Sequence, residues 1–199
     1  MFGDPDLYNV KQLKETGVWP LTFLSAYGML PYIRRMHGNA LVGCEIGVLK
    51  GENVYTLLSE CDKIGKIYGI DPYVAHTDYE TKRTKSQMDQ FLKIAEDNLA
   101  EFGDRYELVK SKSSEAASMF GKDFFDFVLV DGDHSYKSVK KDLELYWPFL
   151  KPGATIFVHD SNREDVIKAI HDFRNENKIR MPIHKSKNFV DFWVNDVRS

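Results

Sequence analysis

From residue 40 onward, short apolar runs alternate with amphipathic segments, and this alternation limits the fold more than any other feature of the chain. "ALVGCEIG" (40–47), "KIYGID" (66–71), "YELVK" (106–110), "FDFVLVDG" (125–132) and "ATIFVHD" (154–160) have the length and residue content of buried strands. Between them lie helical patterns. "ENVYTLLSECDKIG" reads as a short helix closed by Gly65. "KSQMDQFLKIAEDNLAEFG" keeps Phe91, Ile94, Ala95, Leu99 and Phe102 on one face and stops at Gly103. "SSEAASMFG" is a short helix. "SYKSVKKDLELYWPFL" starts at Ser135 as N-cap and buries Val139, Leu143 and Trp147. "KPG" turns the chain into the fifth strand, and "REDVIKAIHDFRNEN" turns Val166, Ile170 and Phe173 inward. The end breaks the rhythm: "MPIHKSKNFVDFWVND" holds two extended runs joined near Lys187 and Asn188, a hairpin. Strands alternating with helices predict an α/β fold, a parallel sheet covered on both faces. With the hairpin it becomes a doubly wound, Rossmann-like sheet of seven strands, mostly parallel, with an antiparallel last strand.

Open parallel sheets bind ligands outside the carboxyl ends of their strands. Four of the strand ends here carry acid: Glu45 before Gly47, Asp71, the cluster Asp131-Gly132-Asp133-His134, and His159-Asp160. Each acid also has a plain structural reading. Glu45 could pair with Lys50 or another cation. Asp71, before Pro72, could end a strand. Gly47 and Gly51 could serve a turn and helix packing, since "EIGVLKG" lacks the full G-x-G-x-x-G pattern. Asp133 or His134 could cap the helix at Tyr136. Against these stands a spacing: Asp71 follows Gly47 at the offset of an acid that holds ribose hydroxyls. Adjacent strands lie about 4.8 Å apart, which brings Asp160 near Asp131. With no basic partner evident in either motif, the two acids invite a divalent cation, unless Lys137, Lys140 or Lys141 at the start of the next helix pairs with them. Oxygen ligands suit Mg²⁺, whereas His159 suits a softer metal or turns into the core.

Composition removes several classes of function. A net charge of −3 argues against nucleic acid or an anionic membrane as partner. No apolar run approaches the roughly 20 residues of a membrane span. The start "MFGDPDLYNVKQLKETG" has no signal pattern, and two cysteines, Cys44 and Cys61, form no metal or disulfide framework. The expectation is a cytoplasmic protein, with a homo-oligomer compatible with the sequence. Residues 1–39 read as a helical lead-in broken by Pro31, and 40–199 as one domain.

The signatures "EIGVLKG", "GKIYGIDPY" and "FDFVLVDGDHSYKSVKKDLELYWPFLKPGATIFVHD" resemble those of class I S-adenosylmethionine-dependent methyltransferases. The similarity covers about residues 40–195. It is greatest to the small-molecule O-methyltransferases related to macrocin and rhamnosyl O-methyltransferases and to cephalosporin-hydroxylase-like proteins. The resemblance implies S-adenosylmethionine as cofactor and a small-molecule hydroxyl, such as that of a sugar or secondary metabolite, as acceptor. It implies that Glu45 and Gly47 line the methionine part, that Gly51 packs the next helix, that Asp71 holds the ribose, and that Ser113 approaches the adenine. Asp131, which also borders the cofactor, and Asp160 would be metal ligands, with His159 beside them. Asp133 takes the position of a base in sugar O-methyltransferases, and His134 that of the base in catechol-type relatives. The chain departs from the metal-dependent pattern at His159 and Ser161.

Transfer from a sulfonium is an in-line displacement, so the protein mainly positions the acceptor and takes up its proton through Asp133, His134 or a metal-lowered pKa. The lead-in 1–39 and the polar stretch 73–86 flank the site as candidate lids. Two other classes compete: a nicotinamide oxidoreductase, disfavoured by Glu45 in place of Gly, and a non-catalytic module that keeps only the cofactor pocket.

Overall fold

The computed structural model describes residues 8–15, 24–78 and 81–196. In chain order the elements are α1 (Val10–Glu15), α2 (Ser25–Ile33), β1 (Leu41–Ile46), α3 (Glu52–Glu60), β2 (Ile64–Ile70), β3 (His76–Asp78) and β4 (Thr81–Arg83). Then follow α4 (Lys85–Leu99), β5 (Tyr106–Val109), α5 (Ser113–Ala116), β6 (Phe125–Val130), α6 (Tyr136–Tyr146), β7 (Leu150–Val158), α7 (Glu164–Glu176), β8 (His184–Lys185) and β9 (Asp191–Val194). Seven strands form one sheet in the order β5-β2-β1-β6-β7-β9-β8. All neighbours from β5 to β7 pair in parallel, and β9 runs antiparallel to β7 and β8. The expected doubly wound sheet with its antiparallel last strand is what the chain forms. Strand order reverses at β1, so the loops leaving β1 and β6 diverge and open a crevice between them.

The two-residue period of the strands divides the core between two faces. On β6, Phe127 and Leu129 join a cluster with Met29 and Ile33 of α2, Leu57 of α3 and Phe91 of α4. Val128 and Val130 join Val139 and Leu143 of α6, Phe173 of α7 and Trp193 of β9. No helix among the described residues is long and apolar enough to cross a membrane.

Some local expectations need correction. Pro31 does not break the lead-in; α2 runs through it, because Met29, Leu30 and Ile33 are buried and tertiary burial outweighs the local cost of proline. Gly65 lies inside β2 rather than ending α3, which already stops at the extended Cys61. The "KPG" stretch is a bulge within β7: pairing jumps from Phe125–Leu150 to Phe127–Thr155. α6 ends at Tyr146, and its buried stripe is Val139, Asp142, Leu143 and Tyr146, with Trp147 starting a 3-10 turn. The polar stretch 73–86 is partly built: Tyr73 is buried and donates to the Leu49 carbonyl at 2.9 Å. β3 and β4 then form a small hairpin, and Thr84 with Gln87 makes a capping box for α4.

Candidate active site

A cavity of about 600 Å³ lies over the carboxyl ends of β1, β2 and β6. Of the residues singled out in the sequence, Glu45, Gly47, Asp71, Ser113, Asp131, Asp133 and His134 all line it. At one end Glu45 is buried, its Oε1 accepting from Asn53 Nδ2 at 2.8 Å. Its Oε2 is buried with no hydrogen-bond partner. Burial pushes the Glu45 carboxyl well up; the Asn53 bond opposes this, and Asp131 and Asp71 add to it. Lys50 is not its counterion, since that ammonium lies 3.1 Å from Glu52. Gly47 has φ +91°, and a Cβ there would stand 2.1 Å from the Asp131 carbonyl oxygen, so only glycine fits. Gly51 starts α3 at φ +75°, and a Cβ would stand 2.7 Å from Leu99 of α4, the close helix packing expected of it.

Asp71 does more than end a strand. Its Oδ2 accepts from the Val48 and Leu49 amides at 3.1 Å each, and Oδ1 accepts from the Tyr73 amide at 2.8 Å. The carboxylate at the β2 exit therefore clamps the loop that follows Gly47. Oδ1 keeps acceptor capacity for a ligand, whereas the two amides occupy both lone-pair sites of Oδ2.

At the exits of β6 and β7 a compact polar cluster forms. His159 does not turn into the core: its Nδ1 lies 2.9 Å from Asp131 Oδ1. His134 Nε2 lies 3.4 Å from the same oxygen and 3.5 Å from Asp160 Oδ2. Asp131 Oδ2 accepts from Ser25 Oγ of α2 at 3.0 Å, so the lead-in reaches the site. Burial pushes Asp131 up, but hydrogen bonds from His134 and His159, with their charge, outweigh it and hold the carboxyl below its ordinary value. For His159 burial lowers the pKa, and Asp131 and Asp160 reverse that into a net rise. Asp160 leaves β7 at φ +53° and meets Arg163 Nε at 2.7 Å. The two acids thus have basic partners: His159, His134 and Arg163. Asp133 is exposed, and its Oδ1 accepts from the Ser135 amide at 2.8 Å; Ser135 is the N-cap of α6, as expected.

The far end of the cavity is made by Ser113, Ser114, Ser138, Lys141 and Asp142. Ser113 Oγ donates to Asp142 Oδ1 at 2.6 Å. Above the mouth, Arg83 rests over the Phe91 ring at 5.2 Å, opposite His76 in the β3–β4 register.

A family model for a methyltransferase domain matches residues 44–161, more than half of the chain and every strand end just described. The chain belongs to this methyltransferase family. Solved O-methyltransferases share its fold. The O-methyltransferase NovP superposes with a TM-score of 0.61 at 14% identity, covering 94% of this chain and 80% of NovP. The O-methyltransferase of Bacillus cereus in complex with SAH gives 0.62 at 17% identity, covering 98% and 92%. TomG of Streptomyces achromogenes, an O-methyltransferase involved in tomaymycin synthesis and solved with SAM, gives 0.59 at 16% identity, covering 98% and 91%. A search of curated proteins finds no match.

The methyltransferase site also contains residues that sequence reasoning passed over. Asn53 holds Glu45 and also accepts from the Ala26 amide, tying α2 to α3. No spacing rule points to it. Asp142 had a legible signal: a carboxylate on the apolar stripe Val139, Leu143 and Tyr146 of an amphipathic helix. Ser25 had none, because its partner lies 106 residues away.

Proposed function

We propose that the chain transfers the methyl group of S-adenosylmethionine to a hydroxyl of a small molecule such as a sugar or secondary metabolite. The observation that carries this reading is His134: it lines the cavity, and its Nε2 faces two carboxylates, Asp131 at 3.4 Å and Asp160 at 3.5 Å. An imidazole so backed takes up the acceptor's proton, and the carboxylates stabilise the imidazolium that results. The orphaned, buried Glu45 Oε2 offers an acceptor for the cofactor's ammonium group, and Gly47 leaves the backbone bare for close approach. Asp71 faces the ribose, and the Ser113 end takes the adenine. The acids around the cavity complement the sulfonium's positive charge. Asp133 is the second candidate base, its exposure placing it at the rim.

A metal changes these roles. The donor atoms of Asp131, His134 and His159 lie within 4.8 Å of one another. One carboxylate and two imidazoles suit a borderline ion such as Zn²⁺, Mn²⁺ or Fe²⁺ rather than Mg²⁺, which prefers oxygen ligands. Asp160, engaged by Arg163, falls outside that set. A bound ion would supply a lowered hydroxyl pKa. His134 as ligand could not serve as base, and that duty would pass to Asp133.

The test is S-adenosylhomocysteine production on a panel of sugars, phenols and catechols, before and after exhaustive chelation. If His134 is the base, activity survives chelation, and His134→Gln lowers turnover by about 10²–10⁴-fold while Asp133→Asn changes it little. Loss of activity on chelation, with Asp133→Asn as the damaging variant, selects the metal-bound arrangement. Tight cofactor binding with no turnover on any hydroxyl would leave a binding module.

A further inference from the structure

One aromatic side chain stands outside the packing of the fold, at the rim of the cavity. Phe189, in the turn between β8 and β9, is 58% exposed, more than any other large hydrophobic among the described residues, and it joins neither core cluster. Its backbone is left-handed at φ +56°, directly after Asn188 at +60°. Two such residues in succession suit Asn-Gly in a hairpin turn, and a bulky residue at the second is an outlier. The turn is nevertheless tied down. The Ser186 amide donates to the Val190 carbonyl at 2.8 Å, Ser186 Oγ to the Gly28 carbonyl at 2.6 Å, and Asn188 Nδ2 to the Leu24 carbonyl at 2.7 Å. Gly28 of α2 lets the turn approach so closely that a Cβ there would stand 2.5 Å from the Lys187 carbonyl oxygen. A fourth bond fixes the place of the turn beside the site. The Phe189 carbonyl accepts from the Ser161 amide at 3.0 Å, and Ser161 follows Asp160, whose Oδ2 backs His134 at 3.5 Å. Leu24, which takes the Asn188 bond, lines the cavity. A rigid turn thus presents an unpacked ring beside the proposed base. Backbone strain kept in this way commonly marks a ligand clamp.

We propose that Phe189 is the platform for the methyl acceptor, and that the acceptor is an aromatic hydroxyl whose ring packs against it. The inference rests on the reading of hydroxyl methylation, with His134 or Asp133 at the acceptor's proton. An acceptor whose hydroxyl reaches those groups has the rest of its body at this rim. A compact polyol gains little from a bare phenyl face. An aryl ring buries apolar area on it and adds the edge-to-face or offset attraction of an aromatic pair. Because the turn is tied to α2 and to the β7 exit, Phe189 loses little freedom when the acceptor lands. The contact lies away from the reacting atoms and is the same in the ground and transition states. It therefore sets acceptor affinity and choice rather than turnover.

The intact chain is assayed with S-adenosylmethionine on 2-naphthol, catechol and a panel of monosaccharides, and its affinity for S-adenosylhomocysteine is measured calorimetrically. The aromatic hydroxyls should be turned over. Phe189→Ala should raise their KM by roughly 3- to 10-fold, with kcat within about twofold and S-adenosylhomocysteine affinity unchanged. Phe189→Trp should restore the native KM. Phe189→Gly separates the site from the fold. It should raise the melting temperature, because glycine takes a left-handed φ without strain, while raising KM as alanine does. A merely structural ring would instead lower stability on removal and leave KM alone. Native KM in both the alanine and glycine variants overturns the proposal, as does turnover confined to monosaccharides. A dimer that Phe189→Ala dissociates also overturns it, since the ring would then be a contact between copies. No turnover of any hydroxyl, with S-adenosylhomocysteine still bound, overturns the hydroxyl reading beneath and the proposal with it.

Discussion

Asp142, buried on α6, carries a measurable cost. Burial raises its carboxyl to about 6, with the Ser113 bond and Lys141 pulling the other way. A raised folded-state pKa means that the neutral form suits the fold better than the ionised one. Its stabilising effect is fully present below the ordinary aspartate value and is lost as pH rises through about 6. At neutral pH the ionised group then costs the native state on the order of 3 kcal/mol. Replacing it with neutral Asn should therefore stabilise the protein more at pH 7.5 than at pH 4, with the gap widening by about 2–3 kcal/mol. Urea denaturation at the two pH values measures this, and an unchanged gap would remove Asp142 as a buried, titrating group. Sites built for ligands commonly hold such costly groups at the expense of stability.

Among the elements, the β3–β4 hairpin is the one with the least support. Among the described residues its strands pair only with each other, as His76–Arg83, Thr77–Lys82 and Asp78–Thr81. An isolated two-stranded hairpin is marginal in water. The segment before it is anchored by buried Tyr73, and the segment after it by the Thr84 capping box. Among the described residues the lid expected over 73–86 thus narrows to 76–78 and 81–83, with Arg83 and His76 lining the cavity mouth. Amide exchange at 76–78 and 81–83 should be fast in the free chain and slow severalfold when S-adenosylhomocysteine is bound, while Tyr73 and α4 change little. Full protection in the free chain would end the lid reading. α2 behaves differently: its packing against α3 and the β8–β9 turn makes it part of the core, not a cover.

The whole molecule couples ligand to stability because the cavity is walled by loops from both halves of the sheet. A ligand that binds only the folded state adds about 2.7 kcal/mol at a concentration 100 times its Kd. For a domain of this size that is a rise in melting temperature of roughly 5–10 °C. S-adenosylhomocysteine should produce such a rise, and NAD at the same concentration should not. A larger shift with NAD would return the nicotinamide enzyme to consideration.

Much of this protein was determined by local pattern. Periodicity specified the strands, the helices and the antiparallel end, because burial on both faces of a parallel sheet demands near-continuous apolar runs. Chain direction then put Glu45, Asp71, Asp131 and Asp160 at one edge, since every parallel strand exits on the same side. What the pattern could not supply was which side chain meets which. Asp131 and Asp160, read as unpartnered acids awaiting a cation, are partnered by His159, His134 and Arg163, a matter of rotamers and of the left-handed turn at Asp160. Ser25 reaches Asp131 across 106 residues, and Ser113 reaches Asp142 across 29. Such contacts depend on how helices settle on the sheet. That is decided by packing summed over the whole core, and no short stretch of sequence contains it.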